Sequence, residues 1–115
     1  MADIAIDRAT FEALKQTAGA DFVLELVDTF LQEAPSMLDE LRRALAAQDA
    51  DKFRRTAHSL KSNSNTFGAL TLGALARELE LGGLSKANEN RGQPLDALAV
   101  EYSRVEAALK DLRNA

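Results

Sequence analysis

The chain has one histidine, His58, inside the run KFRRTAHSLKSNSNTFGA from Lys52 to Ala69. Read as a helix at about 100° per residue, the run projects Arg54, Arg55, Lys61, Ser62 and Asn65 within about 60° of His58. Phe53, Thr56, Leu60, Ser64 and Phe67 fall on the opposite side, which holds every large apolar residue of the run and would face a core. One helical turn to either side of His58 stand Arg54, Arg55, Lys61 and Ser62, none of them a carboxylate. A general-base histidine would therefore need an orienting acid from elsewhere in the fold, together with a pocket. Flanking cations disfavour the imidazolium and favour the neutral, nucleophilic ring at pH 7. A lone histidine is more often structural or idle than functional, but a nucleophilic imidazole among cations and small polar groups suits acceptance of a phosphoryl group. That group brings close to two negative charges and three acceptor oxygens. Lys61 can neutralise part of the charge. Ser62 is small enough to leave the ring accessible and can donate a hydroxyl hydrogen bond, as Asn65 can donate from the next turn.

Other chemistries have little to stand on. One histidine and no cysteine leave only scattered carboxylates for a metal, and there is no glycine-rich phosphate loop or serine-based motif. The lack of cysteine also excludes a disulfide framework and is compatible with the reducing cytoplasm. The opening MADIAID has neither a basic nor an apolar leader region, and no stretch approaches the roughly 18 apolar residues of a membrane span. A soluble, cytoplasmic protein is expected. The net charge of −4 argues against nucleic acid or an anionic membrane as partner. The charge is uneven, however: from Lys52 to Arg77 there are five cationic residues and no Asp or Glu. Such a patch is either a solvated face or an attractor for an acidic partner.

The elements that must position these residues are helical. Abundant Ala, Leu, Glu, Asp, Arg and Lys with two prolines indicates an all-α chain, and 115 residues fit one domain spanning residues 1–115. A short first helix is expected from Asp7, with Ile6 and Phe11 as a hydrophobic staple, to Gly19. Asp21 would cap a second helix, Phe22 to Ala34, whose apolar residues spread over about 200° of the wheel. Such breadth fits either deep burial or a docking face. Pro35 suits a tight break or the first turn of a new helix running to Gln48. Asp49 is the expected N-cap of the histidine helix, which Gly68 would end. A further helix is expected from Ala69 to Gly82-Gly83, then a polar loop from Ser85 to Pro94. The last helix, Leu95 to Arg113, aligns Leu95, Leu98, Tyr102, Val105, Leu109 and Leu112. The architecture expected is an antiparallel four-helix bundle with a short additional N-terminal helix.

The run AHSLKSNSNTFGA, Ala57 to Ala69, resembles the signature of histidine-containing phosphotransfer (HPt) domains. In that signature a His is followed three residues later by Lys, then a small residue, and at ten and eleven by Gly-Ala. Upstream, FLQEAPSMLDELRRAL resembles the preceding helix pair, and downstream LARELEL resembles the following helix, so the likeness covers about residues 20–84 and the bundle pattern extends it. It implies that His58 is the phosphoacceptor through Nε2, that Lys61 stabilises the phosphoryl group and that Gly68 closes the helix. The chain departs from the common pattern at Ser62, where Gly is usual, and at Asn65, often smaller. No partner for the other ring nitrogen is implied. The resemblance further implies a phosphoryl carrier and not an enzyme, without a cofactor of its own, monomeric, exchanging phosphate with receiver domains of response regulators or hybrid histidine kinases that supply Mg2+ and an aspartate. Phe30 and Leu31 are the expected docking residues and Arg54 and Arg55 the electrostatic patch. The alternative is a module that docks a receiver or kinase without taking phosphate.

Overall fold

In the computed structural model, which describes residues 5–114, five helices follow one another: α1 (Arg8–Ala18), α2 (Ala20–Ala47), α3 (Ala50–Thr66), α4 (Leu70–Glu89) and α5 (Gln93–Asn114). Residues 1–4, on which part of the leader reading falls, lie outside the described set. Local chemistry sets most of the boundaries. The Asp7 carboxylate accepts from the Thr10 amide at 3.2 Å and begins α1, and Asp49 accepts from the Lys52 amide at 3.1 Å and begins α3. Each satisfies one of the amides a helix start leaves without an intrahelical partner. Ile6 and Phe11 are both buried on either side of the Asp7 cap.

Three expected boundaries are corrected. Asp21 is not a cap: α2 begins at Ala20 behind Gly19, and Asp21 sits in the first turn, where its charge complements the helix dipole. Pro35 neither breaks nor starts a helix. It lies inside the continuous α2 on an exposed position, where a carbonyl left without its amide partner can be hydrated. The polar stretch expected as a loop from Ser85 to Pro94 is helical to Glu89, and only residues 90–92 form a turn before α5 begins at Gln93. Gly83 adopts φ 63°, ψ −161°, a conformation open to glycine alone, so the chain kinks there. Helical turns then resume to Glu89, because Leu84 and Ala87, three residues apart, turn inward onto the core.

Helices α2 to α5 form the antiparallel four-helix bundle, with α1 laid against one end. Arg113 near the end of α5 grips Asp28 early in α2 at 2.6 and 3.2 Å. Arg42 late in α2 reaches Asp96 early in α5 at 3.1 Å, which fixes the opposed directions. On α5, Leu95, Leu98, Tyr102, Val105 and Leu109 are buried and Leu112 partly so. They meet Val27, Phe30, Leu41, Phe53, Leu60 and Leu72 in one core. Helices α3 and α4 approach closely through small buried residues, Ala57 and Ser64 facing a helix that carries Gly73 and Ala76.

Gly68 joins three elements. Its carbonyl accepts from the Asp7 amide at 2.7 Å, its φ is +85°, and a Cβ there would stand 2.8 Å from the Asp7 carbonyl oxygen. Gly68→Ala is expected to cost about 2–4 kcal/mol in urea unfolding, combining a left-handed backbone with overpacking. Gly19→Ala, where φ is +95° but a Cβ meets nothing within 4 Å, should cost less, about 1 kcal/mol.

Candidate functional site

The buried side chains of Ala57 and Leu60 lock the rotation of α3 about its axis and turn His58 outward, leaving its side chain 55% exposed. The antiparallel register sets Glu80 of α4 opposite. Leu79 and Ala76 bury the core side of α4, and Glu80, one residue past Leu79, is carried toward α3, where it is only 16% exposed. Its two oxygens serve two partners. Oε2 lies 2.7 Å from His58 Nδ1, and Oε1 accepts from Lys61 Nζ at 2.8 Å. Lys61 is itself drawn down along the surface to 24% exposure.

The protonation state follows from this geometry. The Lys61 hydrogen bond, with the His58 hydrogen bond and both charges, holds the Glu80 carboxyl below its ordinary range against partial desolvation. An ionised carboxylate only accepts hydrogen bonds, so the proton of the neutral imidazole resides on Nδ1 and donates to Glu80. Nε2 is left with its lone pair. The carboxylate that α3 lacks within one turn of His58 is thus supplied from α4, 22 residues away. Two hollows in the described surface stand away from the histidine. A hollow of about 350 Å³ between α2 and α3 is lined by Met37, Glu40, Lys52, Arg55, Thr56 and Ser59. A groove of about 670 Å³ runs between α4 and α5, with Leu75, Leu79 and Leu81 among its walls. His58 lines neither.

The remaining expected residues divide. Ser62 is exposed one turn beyond His58 and on the same face. Asn65 lies two turns on, about 10 Å along the axis, and its amide rests against Gly73, where a Cβ would meet Oδ1 at 2.1 Å. That distance puts Asn65 out of reach of a group on His58, and its close contact is with α4. Arg54 and Arg55 are exposed one turn before His58, but both bind Asp51, at 3.0 and 2.9 Å. The carboxylate-free stretch is therefore bracketed by acids, Asp51 and Glu80, that fold back onto its cations. Phe30, expected at a docking surface, is buried instead: it is 4% exposed and packs between Phe67 and Tyr102, with ring centroids 5.4 and 6.1 Å apart. Leu31 is partly buried against the core. The contact with Phe67, nine residues past His58, sets this part of α2 about 13 Å from the histidine along the bundle.

The model of the Hpt domain family matches residues 25–115. The chain belongs to the Hpt family. It is 34% identical over 78 residues to the sensor protein TorS of Escherichia coli K12, a match covering 68% of this chain and 8% of TorS. The chain therefore spans a small part of that relative's length. Its fold superimposes on the crystal structure of histidine-containing phosphotransfer protein B (HptB) of Pseudomonas aeruginosa PAO1 with a TM-score of 0.86. The two are 28% identical, and the superposition covers 98% of this chain and 97% of HptB. As an Hpt domain, it is a phosphoryl carrier of two-component phosphorelays, which exchange phosphoryl groups between histidine and receiver aspartate, and not an enzyme in its own right. Among the described residues, no group of three or more His, Cys, Asp or Glu side chains is placed to hold a metal ion. No helix among them is long and apolar enough to cross a membrane.

The lowered Glu80 pKa fixes the sign of a pH effect. The stability that the bridge contributes is present above the unfolded carboxyl value, 4.5, and is lost as pH falls through the lower folded value. Carbon-detected NMR of the Glu80 carboxyl should give a midpoint below 4.5, rising in Lys61→Met, whose side chain can neither donate to the carboxylate nor carry charge.

Proposed function

We propose that His58 is the phosphoacceptor and that Nε2 is the reacting atom. The observation that carries this reading is the Glu80–His58 hydrogen bond at 2.7 Å, with Nδ1 engaged and the ring exposed. Nε2 attacks the phosphorus of a receiver's aspartyl phosphate, the P–O bond to the aspartate breaks, and the carboxylate leaves. The imidazole gains positive charge as the new N–P bond forms, and Glu80, already hydrogen bonded at Nδ1–H, stabilises that charge without moving a proton. The reverse sequence returns the group to an aspartate.

Lys61 has two tasks in this reading. It holds Glu80 in place on the Nδ1 side, and from one turn beyond His58 its charge offsets part of that of the phosphoryl group. Ser62 supplies a hydroxyl on the same face. The receiver contributes the aspartate and Mg2+, and the proposed partners are receiver domains of response regulators or hybrid histidine kinases. The cytoplasm is the proposed compartment, since that is where such partners work.

Incubation of the purified protein with a phosphorylated receiver domain and Mg2+ should place label on the wild type and none on His58→Gln. The label should be lost in acid and kept in base, as expected for a phosphohistidine. A wild type that stays folded and unlabelled with several receivers would overturn the reading in favour of a module that docks without taking phosphate. Glu80→Gln should still fold and accept label, but about tenfold or more slowly, because the ring loses its charged orienting partner.

A further inference from the structure

The structure points to a role for Asp51 and the two arginines that goes beyond a general electrostatic patch. The two guanidinium groups converge on one carboxylate, Arg54 Nη2 at 3.0 Å from Oδ1 and Arg55 Nε at 2.9 Å from Oδ2. All three side chains are well exposed, the carboxylate at 65% and the arginines at 55% and 67%. They stand on α3 four and three residues before His58. Side chains on an α-helix lean toward its N-terminus, so the ring of His58 covers the turn from which Arg54 and Arg55 project.

The other half of the site narrows the possibilities. Lys61 and Glu80 neutralise one another on the Nδ1 side. A phosphoryl group on Nε2 carries close to two negative charges on three oxygens. Its nearest cations on the N-terminal side are the two arginines, which have flexible stems and a planar donor fork matched to phosphate oxygens. What holds them in the unmodified protein is one singly charged carboxylate. Exposed ion pairs of this kind are weak and easily exchanged, and a group of about twice the charge competes well for both arginines.

We propose that Asp51 is a stand-in anion for the phosphoryl group. It parks Arg54 and Arg55 one turn from His58 while the histidine is unmodified and yields at least one of them to the phosphoryl oxygens once Nε2 is phosphorylated. The inference rests on the assignment of His58 as phosphoacceptor. The exchange makes and breaks no covalent bond: a guanidinium N–H···O contact to Asp51 is replaced by one to phosphate. Its consequence is a carrier with a net cationic clamp of one charge in either state, two arginines less Asp51. The clamp is partly compensated by Asp51 before transfer and turned toward the phosphoryl group after it.

Potassium phosphoramidate tests this without any receiver: Nε2 attacks its phosphorus, the P–N bond breaks and ammonia leaves. Phosphorus NMR of the product then reads the second ionisation of the phosphoryl group, near pH 6 for phosphorylated side chains in general. Arginine contact holds that value down. The double variant Arg54→Gln/Arg55→Gln should raise it by about half a unit or more, and Asp51→Asn, which removes the competitor, should lower it. Arg54→Lys/Arg55→Lys should fall between wild type and the glutamine variant, and Arg43→Gln on α2 should leave it unmoved. An ionisation unshifted in both the double glutamine variant and Asp51→Asn would overturn this inference alone. Failure of the wild type to take up phosphate at His58 would remove the phosphoacceptor assignment and this inference with it.

Discussion

The site depends on one carboxylate shared between a ring and an amine. Glu80 has two oxygens, and each engages a different partner on α3, His58 Nδ1 at 2.7 Å and Lys61 Nζ at 2.8 Å. Each contact strengthens the other. Lys61 keeps Glu80 ionised, an ionised Glu80 can only accept, and acceptance from Nδ1–H settles the tautomer that leaves Nε2 nucleophilic. A histidine one turn from two arginines would be held only by its own rotamer preferences if α4 were absent. The bridge converts an exposed side chain into an oriented one while leaving Nε2 unengaged by Glu80.

The rest of the fold keeps that carboxylate in register. A slip of one residue along α4 would turn Glu80 about 100° away from α3, so the close packing of these two helices is part of the chemistry. Small residues allow it: Gly73 receives the Asn65 amide in space that a Cβ would fill, and Ala57, Ser64 and Ala76 are fully buried. Gly68 turns the chain between the two helices, and its carbonyl also anchors the start of α1. The bundle beyond, with its buried Phe30, Phe67 and Tyr102 cluster, holds these elements at fixed spacing.

Much of this was legible in the residues. The helical class, the caps at Asp7 and Asp49, the buried line on α5 and the outward face of His58 follow from spacing and capping chemistry, which are local. The misreadings came where tertiary contacts overrode local signals. Pro35 signals a boundary because its ring removes a hydrogen bond, yet a solvent-facing position tolerates that loss. Ser85 to Pro94 reads as a loop because polar residues dominate it, but the inward pair Leu84 and Ala87 keeps it helical to Glu89 and leaves only residues 90–92 as a turn. The breadth of the apolar face on α2 fits two explanations equally, and the structure divides it: Val23, Val27, Phe30 and Ala34 are buried while Phe22 is 51% exposed.

Glu80 escaped because a search for an orienting acid within one turn of the histidine examines a single helix, whereas the acid arrives from the next one. A signal was nevertheless present. On a helix whose buried stripe runs through Leu72, Ala76 and Leu79, position 80 falls about 40° from Ala76, while Glu78 falls on the far side. An acid on the inward arc of an amphipathic helix needs a partner, and the neighbouring helix offers one lysine and one histidine spaced by three. The same reasoning applies to the stretch without carboxylates. Its cations are partly offset within the fold, since Asp51 before it pairs with Arg54 and Arg55 and Glu80 after it pairs with Lys61. A carrier that must take on about two negative charges and then release them is better served by cations already balanced by weak, exchangeable acids than by an unshielded cluster. An unshielded cluster would hold the phosphate too firmly to pass it on.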